Sequence, residues 1–339
     1  MKQSHLIGLA TPLLLSAGTL ATAERFYQYA FRRINYIPDA RSSMQKYASS
    51  YYRHVHWVES QRHIEAWHMT APDNQRLEAL WLPHPGSQKA VIIGHGYKGT
   101  GITMSNFAHM FYDLGFNVLL PDDRGHGESD GEYISFGWLD RLDYLGWLQR
   151  ILDRLGNDAQ LLLFGTSMGG ATVSLVAGEP SLPKQVKAVI EDCGYTDVET
   201  ELAYLLKKQF HLPPLPLVPL ASFINYRRLG YPLRVVNVRQ ALTRNRLPLL
   251  VIHGAEDVYV PTKMGRENYA ASAGPKALWI VPGAAHAESY WINPAAYQAH
   301  VKRFLDISFS ACIPNNSHHM AATFRCRFLR VAFKLRGFF

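Results

Sequence analysis

Two patterns of apolar and polar residues follow each other along the chain. Between residues 63 and 82 apolar and polar side chains alternate on either side of the turn residues 72–74, which predicts an antiparallel hairpin with one covered face. From residue 90 onward the apolar residues form short continuous runs instead, at 90–93, 116–120, 161–164, 188–190, 249–252 and 277–280. Continuous runs are typical of parallel strands that are covered on both faces. The chain is therefore predicted to be an α/β protein with a mostly parallel central sheet and helices on both faces.

Helical patterns separate these runs. Residues 138–155 carry large apolar side chains at spacings of three and four with charged residues opposite, which predicts an amphipathic helix on one face of the sheet. More than fifty residues lie between the runs that end near Asp192 and begin at Leu249. A structureless loop of that length is improbable in a compact domain. We expect an inserted helical lid over about 196–245, with a helix at 199–210 and a stiff connection at the proline-rich stretch 212–220.

The two ends of the chain differ from its centre. Residues 6–23 contain no charged residue and end in Ala21-Thr22-Ala23, a pattern typical of an export signal. Their length of 18 residues is also just enough for a membrane anchor. We expect residues 1–23 to direct export, by cleavage and secretion or by anchoring in a membrane, and one α/β domain, which includes the lid, to occupy residues 24–307. Residues 308–339 form an atypical basic tail to which we assign no function.

The distribution of charge and of cysteine along the chain limits the kinds of partner and of cross-link that we expect. The formal net charge is +8, but the tail holds five basic and no acidic residues, and residues 1–307 hold 30 basic and 27 acidic ones. Without a basic stripe in the body of the chain, nucleic-acid binding is not expected. Two of the three cysteines, Cys312 and Cys326, lie in the tail, so no disulfide framework is expected in the core. Cys193 follows an apolar run and is interpreted as a buried small residue.

Candidate chemistry begins at residues 165–170, Gly-Thr-Ser-Met-Gly-Gly. This G-x-S-x-G pattern follows a predicted strand and precedes an apolar helix, as the strained serine turn of a serine hydrolase requires. Glycines two residues before and two after Ser167 remove side chains that would clash in so sharp a turn. Taken alone the motif is weak, so the remaining catalytic groups must be found elsewhere.

A serine hydroxyl needs a base and an acid to act as a nucleophile. His286 lies in a loop of small residues after the last predicted strand, and Asp257 follows the preceding strand in the same way. Catalytic groups of open α/β sheets collect at these carboxyl ends of strands. The sequence therefore predicts a triad of Ser167, Asp257 and His286, with Glu256 as the competitor for the acid.

Two backbone amides are expected to stabilise negative charge on the substrate oxygen. One belongs to Met168, directly after the serine, and the other to Tyr97, in the glycine-rich loop 94–101 after the first parallel strand. The Tyr97 side chain could also line the acyl pocket. The spacing of this loop fits no nucleotide-binding motif. The histidine pairs 54/56 and 318/319 lack further ligands at suitable spacing, so neither a cofactor nor a metal is expected.

Together these motifs resemble the α/β-hydrolase fold superfamily, and in particular its bacterial membrane-associated or cell-surface members. The resemblance covers roughly residues 60–307. The residues that carry it are His95-Gly96-Tyr97, Asp122 to Ser129, Gly165 to Gly170, His253 to Asp257 and His286. It implies a serine hydrolase, most often a carboxylesterase, with no metal or organic cofactor, and it does not fix a substrate.

The prediction from the sequence is a carboxylesterase that acts on a small-molecule ester through an acyl-enzyme, with possible association to a membrane through its N-terminal segment. A peptidase or amidase on the same fold is the alternative within catalysis. A catalytically inactive hydrolase fold that serves as a cell-surface binding module is the alternative outside it. The motifs leave the oligomeric state, the acyl group and the alcohol open.

Overall fold

A computed structural model of the protein describes residues 18–33 and 43–310. Its centre is a sheet of eight strands in the order β1-β2-β4-β3-β5-β6-β7-β8. The strands are β1 Glu65–Thr70, β2 Arg76–Leu82, β3 Lys89–Gly94, β4 Asn117–Pro121, β5 Gln160–Thr166, β6 Val186–Asp192, β7 Leu249–Gly254 and β8 Lys276–Val281. The first two strands pair antiparallel, β2 also runs antiparallel to β4, and all other neighbours are parallel. The predicted fold class, a mostly parallel α/β-hydrolase sheet, is confirmed.

Helices cover both faces of this sheet. They are α1 at residues 18–31, α2 Ala48–Glu59, α3 Ser105–Asp113, α4 Asp140–Leu155, α5 Met168–Ala177, α6 Val198–Phe210, α7 Pro214–Leu229, α8 Val238–Leu242, α9 Thr262–Ala271, α10 Ser289–Ile292 and α11 Pro294–Ser310. Short 3-10 helices occur at Ser43–Tyr47, Gly101–Met104 and Leu233–Val235. In β3, Ala90 and Ile92 join the core under α4, α5 and α9, and Val91 and Ile93 join the core under α3 and α11. The continuous apolar runs of β3 to β7 have this cause, since these strands are buried on both sides, whereas the edge strand β8 is mostly half-buried.

The segment between β6 and β7 contains three helices, α6 to α8. Helix α6 lies where the sequence predicts it, and its first turn is capped by the Asp197 carboxylate, which accepts the amide of Thr200 at 2.8 Å. The prediction for the proline-rich stretch is wrong, because α7 begins at Pro214. Leu215 has non-helical backbone angles, so the regular part of α7 starts at Pro216. Proline is tolerated at such a start, where the N–H group has no partner within the helix.

Helix α1 packs on the hydrolase core. Ala23, Tyr27 and Phe31 recur at spacings of four and are fully buried, and the Tyr27 hydroxyl donates to Asn225 Oδ1 of α7 at 3.0 Å. Residues 18–23 of the predicted export segment therefore form part of a packed helix, and residues 1–17 lie outside the described part of the chain. Among the helices that the structure describes, none combines the length and apolar character needed to cross a bilayer. Most of the predicted tail, residues 311–339, likewise lies outside the described residues.

Candidate active site

The turn between β5 and α5 holds Ser167 in a strained conformation, with φ 57° and ψ −117°. Positive φ is rare for a residue with a side chain and is found at sites where the surroundings enforce it. A Cβ atom added at Gly165 would lie 2.2 Å from the carbonyl carbon and oxygen of Gly169, and one at Gly169 would lie 2.1 Å from the oxygen of Gly94. Both positions therefore require glycine, and they let the turn pack closely against the end of β3.

The structure brings Ser167, His286 and Asp257 together in one hydrogen-bonded row. His286 Nε2 lies 2.9 Å from Ser167 Oγ, and His286 Nδ1 lies 2.7 Å from Asp257 Oδ2. The serine follows β5, the aspartate follows β7 and the histidine follows β8, so three loops at the same edge of the sheet supply the three groups. Glu256, the competing acid, is exposed to solvent.

Asp257 is held as a buried carboxylate. Its Oδ1 accepts the amides of Tyr259 and Val260, each at 2.9 Å, and His253 Nε2 lies 3.3 Å from its Oδ2. Burial alone would raise the pKa of this carboxyl, but the hydrogen bonds from His253 and His286 and their charges outweigh burial and lower the pKa to about 2. The group is therefore ionised at neutral pH and can orient the His286 ring through Nδ1.

The loop after β3 lies directly against the serine. A Cβ atom at Gly96 would be 3.7 Å from Ser167 Cβ, so the backbone of Gly96 lies next to the serine. Met168 is the first residue of α5, where backbone N–H groups have no partner within the helix. Tyr97 and Met168, whose amides are predicted from the sequence to bind the substrate oxygen, both line the same pocket as Ser167.

A pocket lined mainly by apolar and aromatic side chains opens beside Ser167 and Met168. Its aromatic lining residues are Phe26, Tyr29, Tyr97, Phe136, Tyr195, Phe210 and Tyr259. The Tyr97 hydroxyl donates to the oxygen of Ala30 at 2.8 Å, so the ring lines the pocket and its polar end is tied to α1. Such a pocket suits an acyl chain, because its apolar walls bind hydrocarbon and Ser167 is one of the residues that line it.

Two parts of this pocket are absent from the sequence-based prediction. Helix α1 contributes Phe26, Tyr29 and Ala30 to the wall, and α6 contributes Glu201. The sequence gives only one weak indication that Glu201 faces the pocket. Glu201 lies four residues before Leu205, and residues at that spacing share one face of a helix. No sequence signal places α1 at the pocket, because the contact joins residues that are far apart in the chain.

One cluster of possible metal ligands occurs among the described residues, and it overlaps the row at Ser167. Its members are Cys193, Asp257 and His286, whose ligand atoms lie within 4.8 Å of one another. Both ring nitrogens of His286 already have hydrogen-bond partners. Burial, followed by the charge of Asp192, raises the pKa of the Cys193 thiol well above its usual value. A protonated thiol and an occupied imidazole fit a metal poorly.

The sequence is similar to several proteins of known sequence. A family model described as serine aminopeptidase, S33, matches residues 85–218. The uncharacterized protein YqkD of Bacillus subtilis strain 168 is 33% identical over 224 residues, which cover 66% of this chain and 73% of YqkD. Rv2307c of Mycobacterium tuberculosis H37Rv is 29% identical over 241 residues, 69% of this chain and 76% of that protein.

Solved structures share the fold. The Pyrococcus furiosus esterase Pf2001 superposes with a TM-score of 0.60 at 25% identity, covering 72% of this chain and 90% of the esterase. The α/β hydrolase GrgF of Penicillium sp. sh18 superposes with a TM-score of 0.56 at 19% identity, covering 73% of this chain and 99% of GrgF.

Proposed function

Since the chain belongs to the serine aminopeptidase S33 family of α/β hydrolases, we propose that it is a carboxylesterase that cleaves small or medium acyl esters. The observation that carries the proposal is the hydrogen-bonded row of Ser167, His286 and Asp257, whose serine lines a mainly apolar pocket. The likeness to the Pyrococcus furiosus esterase supports the reaction class.

In the proposed first step the Ser167 hydroxyl attacks the ester carbonyl and gives its proton to His286 Nε2, 2.9 Å away. The resulting imidazolium is stabilised by the Asp257 carboxylate at Nδ1. The carbonyl oxygen gains negative charge, which the amides of Tyr97 and Met168 are proposed to bind. When the tetrahedral intermediate collapses, the alcohol leaves with the proton from Nε2, and the acyl group stays on Ser167.

The second step repeats the first with water as the nucleophile. His286 takes a proton from water, which attacks the acyl carbon, and then returns that proton to Ser167 Oγ as the acid leaves. The aromatic pocket holds the acyl chain through both steps. Because α1 and α6 line this pocket, the rate is expected to depend on the length and shape of the acyl chain.

Replacement of the nucleophile provides the first test. Ser167→Ala is expected to lower kcat on aryl esters by about 10⁴- to 10⁶-fold, because nucleophile and base act as a unit. Steady-state hydrolysis of a chain-length series of 4-nitrophenyl esters measures the loss. Near-normal turnover by this variant would exclude Ser167 as the nucleophile.

A covalent probe supplies an independent control. A fluorophosphonate is expected to label wild-type protein at Ser167 and to leave Ser167→Ala unlabelled, as peptide mass spectrometry would show. Labelling at another serine would contradict the assignment even if esters are cleaved. No labelling and no hydrolysis together would favour the inactive binding module.

A second catalytic function, a peptidase or amidase, is favoured by the description of the matching family model. The row at Ser167 could cleave amides by the same steps. Rates on matched 4-nitrophenyl esters and 4-nitroanilides with the same acyl group separate the two functions. A kcat/KM on an anilide within about tenfold of the ester would favour the amidase.

A further inference from the structure

Glu201 is a buried carboxyl group without a partner inside the proposed acyl pocket. It lies in the first turn of α6, with 5% of its surface exposed, and lines the same pocket as Ser167. Neither of its carboxyl oxygens has a hydrogen-bond partner. Buried polar groups are nearly always paired, so an unpaired carboxyl in a pocket calls for an explanation.

The neighbours of Glu201 do not supply a partner. The hydroxyl groups of Tyr97 and Tyr195 are already donated, to the oxygens of Ala30 and Phe136, each at 2.8 Å. Asp197 is paired with Arg239 at 2.9 Å. The other polar side chains that line the pocket, Tyr29, Ser167, Gln209 and Tyr259, make no hydrogen bond to Glu201 either.

These surroundings keep the carboxyl group neutral. Burial, followed by the negative charges of Asp257 and Asp197, raises the pKa of Glu201 to about 8. At pH 7 the group is therefore mainly a carboxylic acid, which offers one O–H donor. A buried acid kept neutral in this way can donate a hydrogen bond to a ligand.

We propose that the Glu201 carboxyl group donates a hydrogen bond to an oxygen atom carried by the acyl chain, so that esters of oxo, alkoxy or hydroxy acids are the preferred substrates. The inference rests on the proposed esterase function and specifies its substrate class. A plain acyl chain leaves the acid unpaired in the pocket, whereas an oxygen at the matching carbon pairs it. Sites that hold a buried polar group for this purpose discriminate strongly against substrates that lack the partner.

The experiment compares 4-nitrophenyl hexanoate with the 3-, 4- and 5-oxohexanoates, using full-length protein at pH 7. At least one oxo ester is expected to have a kcat/KM about tenfold or more above that of the plain ester. The position of the best oxo group reports the distance between the serine and Glu201 along the bound chain. Equal rates for the plain ester and every oxo ester would overturn the proposal.

Two variants separate the hydrogen bond from the shape of the pocket. Glu201→Gln keeps an N–H donor of similar size and is expected to retain most of the preference for the oxo ester. Glu201→Leu removes the donor and is expected to abolish the preference while raising kcat/KM on the plain hexanoate. A preference that persists in Glu201→Leu would show that another group binds the oxygen.

The pH dependence of the preference for oxo esters tests whether the neutral acid form of Glu201 donates the hydrogen bond. The ratio of oxo to plain kcat/KM is expected to fall in wild type as pH rises through about 8, since a carboxylate cannot donate, and to stay flat in Glu201→Gln. Among the groups that face Glu201, Asp257 with its pKa of about 2 stays ionised, and Tyr259, whose pKa burial raises to about 12, and Tyr195 stay neutral over this range. Asp197 is held in its ion pair. Changes that affect all esters cancel in the ratio.

A cationic substrate is the competing outcome. If 4-nitrophenyl 6-aminohexanoate is preferred over all the oxo esters and the preference is lost in Glu201→Gln, the group acts as an anion and the proposal is wrong.

A binding measurement tests Glu201 even if no ester is hydrolysed and the esterase proposal fails. It compares the thermal shift of the protein with 3-, 4- and 5-oxohexanamide to the shift with hexanamide. A larger shift with an oxo amide, absent in Glu201→Leu, would support it, and equal shifts would overturn it.

Discussion

The strained backbone of Ser167 depends on Gly165 and Gly169, which no other residue can replace, whereas the nearby Gly96 has room for a side chain. A methyl group at Gly165 would overlap the backbone of Gly169 at 2.2 Å, and backbone atoms cannot move aside as a flexible side chain can. A methyl group at Gly96 meets its nearest neighbour at 3.7 Å, which is ordinary contact. A side chain at Gly165 therefore affects the folding of the turn, whereas a side chain at Gly96 affects only the space beside Ser167.

We expect Gly165→Ala to lower the free energy of unfolding by about 3 kcal/mol or more, because the clash forces the backbone of β5 and α5 apart. Gly96→Ala is its matched control and is expected to change that free energy by less than about 1 kcal/mol. It should nevertheless lower kcat/KM about tenfold or more, because the methyl group narrows the space beside Ser167. Urea unfolding and ester hydrolysis measure the two effects. Equal stability of the two variants would contradict this account.

Single residues were predictable from the sequence where chain order and local geometry constrain them. Ser167, Asp257 and His286 each follow an apolar run, and parallel strands place their carboxyl ends at one edge, so the sequence alone predicts that the three lie close together. Glu201 could not be predicted in the same way. A glutamate on an amphipathic helix is usually exposed, and only the packing of α6 on the core shows that it is buried.

Among the helices and strands, those with a strong hydrophobic period were predictable. The parallel strands were indicated by continuous apolar runs, and α4 by apolar side chains at spacings of three and four. The proline-rich stretch was misjudged because repeated proline favours an extended chain. Tertiary packing decides here instead, since Leu217, Val218 and Ala221 of α7 are buried in the core.

Helix α1 acts as a wall of the pocket and meets α6 there. The ring of Phe210 lies edge to face with Tyr29 at 5.4 Å and with Phe26 at 6.4 Å between centroids. Edge-to-face pairs of aromatic rings are favourable. The two helices therefore close the outer side of the pocket together.

Removing an aromatic ring of α1 from the pocket lining is expected to change the preference for acyl chain length. Phe26→Ala should raise the ratio of kcat/KM for long over short acyl esters about tenfold, since a pocket larger by a ring accepts further methylene groups. Arg25→Ala, at an exposed neighbouring position, is the matched control and should leave the ratio unchanged. A chain-length series of 4-nitrophenyl esters measures the ratio. An unchanged ratio in Phe26→Ala would show that the bound chain does not reach α1.

For the molecule as a whole, we propose that the hydrolase acts outside the cytoplasm. The proposal rests on the uncharged stretch of residues 6–23, whose last six residues belong to α1. Residues 1–33 fused to alkaline phosphatase, an enzyme that needs disulfides and so becomes active only after export, are expected to give activity in a bacterial host. The same fusion carrying Leu14→Arg is the control and should be inactive, because a charge interrupts the apolar stretch. An inactive wild-type fusion would contradict export.

The contact between Tyr97 and α1 has a practical consequence for any recombinant form of this protein. The Tyr97 hydroxyl is anchored on Ala30, so the loop that borders the serine is held in place by a helix near the amino terminus. A shortened protein that starts at the first strand would keep the serine, histidine and aspartate yet lose one side of the substrate pocket. Its measured selectivity would then describe an opened enzyme, so substrate screens need a polypeptide that includes residues 18–33.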